Sequence, residues 1–438
     1  MPCTGDRDRS RAHDLRRGTR SVCPALATWI SLIVLTSSAA AQERIVNGVL
    51  TNDFPTTGSL LMGNDPDTAD QWCTGTLIGC ETFLTAAHCI CDGTGASCAS
   101  GQPDEPDPND YLVFLQHGGF FTVTSIALRS DFNFPVADIA VLKLGSPVDG
   151  ISPSQINTSA SPPASSSGTI VGFGRTGDPN YDYGIKQTGG VTTVACSGGV
   201  SNTTSVCWSF TAPVGPPGDD SNSCNGDSGG PLFIDLGAGD VVAGVTSGGT
   251  SASCNQPDLA YDANVFYYRS WVQSEGGTDL ANTSCGSRAQ VESADVDVHG
   301  FDGTLSAGKP TGTHSFSVDP GAEHLIVTMN GSEETGNDFD LYVKFGAPPT
   351  TIDFDCRVFG SNSWASCEFP TPSAGTWHVL ANRYNGTGTY QVTGTVFNPI
   401  TLPPPTVPAL PPWGGVVLFL VVTGAGARFV RRAAHRRS

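Results

Sequence analysis

The chain has 438 residues, room for two or three domains, with 38% hydrophobic and only 14% charged residues and a formal net charge of -19. Twelve of its 22 Lys and Arg lie near the two ends, so between residues 45 and 427 stand 37 acidic residues against 10 basic ones. A body that acidic repels nucleic acid and anionic lipid, which sets nucleic-acid binding aside.

An Arg-rich start leads into the apolar "ALATWISLIVL" (residues 25–35) and then "TSSAAAQ". Small residues at Ala39 and Ala41 suit signal peptidase, so residues 1–41 are predicted to be a signal peptide; the competing reading is a short buried helix. Removing the leader removes Cys3 and Cys23 and leaves twelve cysteines, an even number that predicts disulfides in an exported chain. Cys89 and Cys91 stand one residue apart, too close for a zinc knuckle.

Residues 45–276 read as all-β: "TLIG", "YLVFLQ", "FFTVTSIAL", "IAVLKL", "GTIVGFG", "PLFIDL" and "VVAGVTS" alternate with Gly, Pro, Ser and Asn. "VFYYRSWVQSE" is predicted as a closing helix. Residues 277–298 are polar and irregular, a linker or an irregular edge. A second β-rich unit spans 299–397, long enough for a small sandwich, with Cys356 and Cys367 predicted to staple one hairpin. Residues 398–412 form a Pro-rich spacer. Residues 413–438 carry an apolar run, 416–427, and a basic end; the run is short for a full span, and membrane attachment through it competes with a terminal helix.

Within this frame "SCNGDSGGPL" (residues 223–232) surrounds one hydroxyl with glycines. A plain loop would also collect such residues. A serine nucleophile needs a base, and residues 45–276 hold only His88 and His117. His88, in "FLTAAHC", sits at the end of an apolar strand, where an imidazole is held rigidly. His117, in "FLQHGGF", reads as structural. Asp138 opens the apolar "DIAVLKL", and a charge there is costly unless it is paired. Its alternative is a turn residue.

The ordered set "RIVNG" (44–48), "LTAAHC" (84–89), "DIAVLKL" (138–144), "GDSGGP" (226–231) and "GVTSGG" (244–249) resembles the trypsin/chymotrypsin family of serine endopeptidases over roughly 230 residues. The resemblance implies a double six-stranded β-barrel with the site between the barrels. It implies Ser228 as nucleophile, His88 as base, Asp138 as its orienting carboxylate, and the N–H groups of Gly226 and Ser228 as the oxyanion hole. Residues 42–44 would be a short propeptide. Cleavage after Arg44, by the protein itself or an activating protease, would bring the Ile45 ammonium to Asp227. The same resemblance pairs Cys73 with Cys89, Cys196 with Cys207 and Cys224 with Cys254. Cys80, Cys91, Cys98 and Cys285 stay open among three pairings, one of which ties Cys285 to the catalytic domain.

The family places the base of the primary pocket six residues before the nucleophile, here Asn222, with Ser247, Gly249 and Ala260 on the walls. A neutral Asn222 implies weak preference for Arg or Lys at most. The acidic insertion at residues 98–110 could hold a structural calcium, though a solvated loop is the plainer reading. No cofactor is required.

"NDFDLYVKFGAPPT" (337–350), "DFDCRVFGSNSWASCEF" and "PSAGTWHVLANRY" resemble the bacterial pre-peptidase C-terminal domain, a β-sandwich of secreted peptidases that is often removed in maturation. Asp338 and Asp340 would be its calcium candidates, or Asp340 a hairpin cap. The tail resembles bacterial sorting signals, which implies a processing protease as partner and release or display at the cell surface. The chain thus reads as a secreted endopeptidase acting on protein or peptide. An inactive homologue, or an adhesin using the sandwich, are the alternatives.

Overall fold

The computed structural model describes residues 45–177, 179–211, 216–333 and 336–401. The leader, Arg44, the apolar run 416–427 and the basic end lie outside them. Among the described residues no helix is long and apolar enough to cross a membrane.

The chain is all-β with two barrels and a sandwich, as expected. Strands Thr57–Met62, Asp70–Leu77, Thr82–Thr85, Ala140–Leu144, Gly119–Leu128 and Tyr111–Leu115 close the first barrel in that order. The second joins Ser167–Gly172, Gln187–Val194, Ser205–Phe210, Asp258–Asn264, Asp240–Gly249 and Pro231–Asp235, and pairing of the last with the first closes the ring. Val49–Leu50 adds a short edge to Gln187–Val194. Leu60, Phe83, Leu84, Val113, Val141 and Leu142 fill the first barrel. The helix Val265–Gly276 closes the unit, its buried Tyr268 hydroxyl accepting the Ala137 N–H at 3.0 Å.

Two four-stranded sheets make the sandwich. One contains Val296–Leu305, Gly388–Phe397, His324–Gly331 and Ala365–Pro370; the other contains Thr311–Val318, Gly375–Asn385, Asp338–Phe345 and Cys356–Val358. Strand periodicity is visible in "GTYQVTGTVF": Tyr390, Val392 and Val396 enter the sandwich core. Gln391, Thr393 and Thr395 point the other way, yet are buried, because that face lies on the two-barrel unit.

All twelve cysteines in the described residues are paired. Cys73–Cys89, Cys196–Cys207 and Cys224–Cys254 lie within the barrels, and Cys91–Cys98 closes the base of the acidic insertion. Cys80–Cys285 ties residues 277–298 to the first barrel, so that segment is packed rather than a free linker. Cys356–Cys367 joins strands of opposite sheets, not one hairpin as the sequence suggested: the intervening residues cross from one sheet to the other.

Candidate active site

His88 sits in the turn Ala87–Cys89 that follows Thr82–Thr85, with its neighbours Ala87 and Cys89 buried and Cys89 bonded to Cys73. That anchorage leaves the imidazole little freedom. Its Nδ1 lies 2.7 Å from Asp138 Oδ2, and its backbone N–H donates to Asp138 Oδ1 at 2.8 Å. Asp138 is fully buried at the entry to Ala140–Leu144. The Ser247 hydroxyl also donates to Oδ2, at 2.6 Å. The buried carboxylate is therefore fully engaged, and it fixes the imidazole with Nε2 free to face outward. Phe134 stands edge-on to the ring at 5.5 Å.

Ser228 and His88 line one cavity of 410 Å³ and a second of 360 Å³. The serine loop is shaped by contacts that only glycine tolerates. At Gly229, φ +83, a Cβ would lie 2.1 Å from Thr85 Oγ1 and 2.3 Å from the Thr74 carbonyl. Gly226 has φ +90, and its carbonyl accepts from Gln71 Nε2 at 3.0 Å and Thr74 Oγ1 at 2.8 Å. Thr74 N–H holds the Ser228 carbonyl at 2.8 Å, and Gly229 N–H holds Thr246 at 2.7 Å.

Asp227 is buried between the two. It accepts from the N–H groups of Cys224 and Gly174, each at 2.8 Å, and burial pushes its pKa up to about 7. Ile45 is 1% exposed, in a cluster with Val191, Trp208 and Ala260. Val46 exchanges backbone hydrogen bonds with Asn222 at 2.9 and 3.0 Å. The segment beginning at Ile45 is thus laid, by an isolated bridge, against the irregular stretch that leads into the serine loop.

Ser247 and Gly249 line the larger cavity; Asn222 and Ala260 do not. Ala260 belongs to the apolar cluster around Ile45. Asn222 is spent on the protein: Oδ1 accepts from Trp208 Nε1 at 3.2 Å, and Nδ2 donates to the Cys254 carbonyl at 3.0 Å and Asp258 Oδ2 at 2.9 Å. Asp258 lines the cavity instead. Its other oxygen accepts from Thr250 Oγ1 at 3.0 Å and Ser251 N–H at 2.8 Å. A Cβ at Gly249 would come within 2.5 Å of Asp258 Oδ2, so the glycine on the wall makes room for the carboxylate. Asp258, Gln71, Phe134 and Tyr261 were not found by sequence reasoning. The pattern "QPDLA" carried the signal for Asp258, an acid beside a Pro two residues before Ala260.

His117 takes no part in the site. It is buried, with Nδ1 2.9 Å from Thr395 Oγ1 and Nε2 2.8 Å from the Asn52 carbonyl. Cys73, His88 and Cys89 lie close enough to suggest a metal centre, but both sulfurs are in one disulfide and offer no thiolate. Burial, with Asp340 adding, pushes the Asp338 pKa up to about 6, and the Tyr342 hydroxyl donates to Asp340 at 3.3 Å.

Two six-stranded barrels, with a carboxylate-bound imidazole and a glycine-framed serine opening on one cleft, define the class of chymotrypsin-fold serine hydrolases. The trypsin family pattern matches residues 46–272, and the chain belongs to the trypsin family. The bacterial pre-peptidase C-terminal domain matches residues 310–383. The chain is 30% identical to a trypsin of Phaedon cochleariae over 223 residues, 47% of this chain and 79% of that protein. It is 32% identical to a tryptase of Mus musculus over 233 residues, 46% of this chain and 77% of that protein. It is also 51% identical to xanthomonalisin of a Xanthomonas species, over only 47 residues, 11% of this chain and 6% of that protein.

Proposed function

We propose that the chain is a secreted serine endopeptidase that cleaves protein or peptide through an acyl-enzyme. The observation that carries this reading is the hydrogen-bonded run from Ser247 through Asp138 to His88, opening on the cavity that Ser228 shares. Ser228 Oγ attacks the scissile carbonyl as His88 Nε2 takes its proton. The proton passes to the leaving amine while Asp138 stabilises the imidazolium. Water then repeats the cycle on the ester. The N–H groups of Gly226 and Ser228 receive the oxyanion, each such donor being worth about 10²–10³ in rate.

Activation follows cleavage after Arg44. Among the described residues no cation is recorded against the buried Asp227, and an ammonium at Ile45 would supply one. In the primary pocket Asp258, not Asn222, offers charge to the substrate, so a cationic side chain is the favoured occupant. The tail then serves sorting and is removed or retained at the cell surface.

The test is expression from residue 42 onward, cleavage after Arg44, and mass-spectrometric profiling of a peptide library. The wild type should hydrolyse it and Ser228→Ala should not. Hydrolysis that survives in Ser228→Ala, or is absent from the cleaved wild type, would reject the reading.

A further inference from the structure

Gln71 is where the C-terminal sandwich reaches the catalytic loop. Its backbone N–H donates to both carboxylate oxygens of Glu333, at 2.9 and 2.7 Å. Glu333 follows the sandwich strand His324–Gly331 by two residues, and its Oε1 also accepts from Trp364 Nε1. Its own N–H donates to the Tyr183 carbonyl at 2.9 Å. On its other side Gln71 Nε2 donates to the Gly226 carbonyl at 3.0 Å. Gln71, Tyr183, Gly226, His88 and Ser228 line the same 360 Å³ cavity.

The approach of the two units is close. A Cβ at Gly184 would lie 2.5 Å from the Gly331 carbonyl and 3.3 Å from Trp364 Cζ2. Trp364 packs edge-on to Phe114 at 4.9 Å and against Phe173 at 6.1 Å, both in the protease unit. Asn330 Nδ2 donates to the Gly184 carbonyl at 2.8 Å. A carboxylate enclosed in this way is costly unless donors meet it, and burial pushes the Glu333 pKa up to about 7. The donors that meet it are the backbone of Gln71 and the indole of Trp364.

We propose that Glu333 is a positioning residue for the oxyanion hole. It fixes Gln71, whose carboxamide holds the Gly226 carbonyl, and so keeps the loop in the conformation that aims the Gly226 N–H at the reacting carbonyl. Thr74 Oγ1 shares that carbonyl at 2.8 Å, so Gln71 is the one of its two ties that the sandwich reaches, and a glycine at φ +90 turns more freely with one tie than with two. The sandwich is then part of the catalytic apparatus rather than a passenger on it. This inference rests on the endopeptidase reading of the same cleft.

The full chain, cleaved after Arg44, is compared as wild type, Glu333→Ala and Glu333→Gln, with rates normalised to titrated active sites. Glu333→Ala should lower kcat roughly tenfold, with KM within about twofold, because a misaimed donor fails only in the transition state. A peptide aldehyde, whose tetrahedral adduct fills the hole, should weaken by about the same factor. Glu333→Gln keeps one acceptor for Gln71 and should recover part of the loss. A second readout needs no hydrolysis: in a Ser228→Ala background, hydrogen exchange of residues 223–230 should quicken roughly tenfold with Glu333→Ala. Unchanged kcat and unchanged exchange in folded Glu333→Ala overturn the proposal; if that variant does not fold, the same measurements on Glu333→Gln decide. An inert wild type would reject the endopeptidase reading alone, leaving the exchange result to decide this one.

Discussion

A carboxylate on the wall of a pocket is aimed by the donors that hold it. Asp258 has three, from Asn222, Thr250 and Ser251, and Gly249 leaves it space. It lines the 410 Å³ cavity, where a cationic guest would meet its charge. Asp258→Asn keeps a carbonyl for the Asn222 amide but removes that charge. It should cut kcat/KM for substrates with Arg or Lys at the cleaved position about 10²–10³-fold, the scale of a broken buried ion pair. Neutral substrates should change little. Equal losses on both classes, measured with matched peptides, would show that Asp258 is structural only. Ser228, His88 and Asp138 could be singled out in the sequence because each lies inside a contiguous, distinctive run, and the structure joins His88 to Asp138 and sets Ser228 in the same cavity as His88. Asp258 could not be, since its role depends on which of two neighbouring acidic or amide residues faces the cavity. Asn222 turns its whole amide to Trp208, Cys254 and Asp258, and no spacing rule reports that.

At the scale of elements, the segment starting at Ile45 meets the approach to the serine loop through the Val46–Asn222 backbone bonds, and the proposed activation would carry that contact on to Asp227. Burial pushes its pKa from 3.8 up to about 7; the Cys224 and Gly174 N–H groups oppose the shift, and Asp182 adds to it. Between those values the folded, uncleaved chain keeps a proton that the unfolded chain has released. Stability of the uncleaved form therefore falls as pH rises from about 4 to about 7, by up to about 4 kcal/mol. A neighbouring ammonium favours the ionised carboxylate and removes that loss. Thermal melts of an uncleavable Arg44→Gln chain should fall across this window relative to the cleaved chain. Parallel curves would refute the pairing of Ile45 with Asp227. The strands themselves were readable from alternation and turn residues. The Cys356–Cys367 bridge was misread as a hairpin because a short loop between two strands does not reveal that the chain changes sheets.

At the scale of the whole molecule, the sandwich and the protease unit meet through a polar, buried face. Gln391 donates to the Thr51 and Lys186 carbonyls at 3.1 Å each, Thr393 donates to Asn52 at 3.0 Å, and Gln116 donates to Asn330 at 3.0 Å. In the sequence these residues look like the solvent side of an alternating strand. Polarity alone cannot distinguish a wet face from a hydrogen-bonded joint, so the two domains were readable and their union was not. His117 is the titratable centre of this joint. Nε2 donates to the Asn52 carbonyl, so in the neutral ring Nδ1 accepts from the Thr395 hydroxyl, which would have to turn round and accept if Nδ1 took a proton. Burial, with the Lys186 charge adding, pulls the His117 pKa down to about 3. The unfolded imidazole protonates near 6.5 and the folded one does not, so stability is lost as pH falls from about 6.5 towards about 3, by up to about 5 kcal/mol. Lys186, lowered from 10.5 to about 7 by burial, carries its full cost throughout that window and sheds it only as pH rises from about 7 towards 10.5, so it does not vary within the window. Asp227 and Glu333, both raised to about 7, act with the opposite sign there. The difference between wild type and His117→Gln isolates the imidazole. His117→Gln should melt lower than wild type near neutral pH and lose less on acidification, so that the gap narrows or reverses by about pH 4. A constant gap from pH 7 to pH 4 would mean that the joint does not sense acid through this residue.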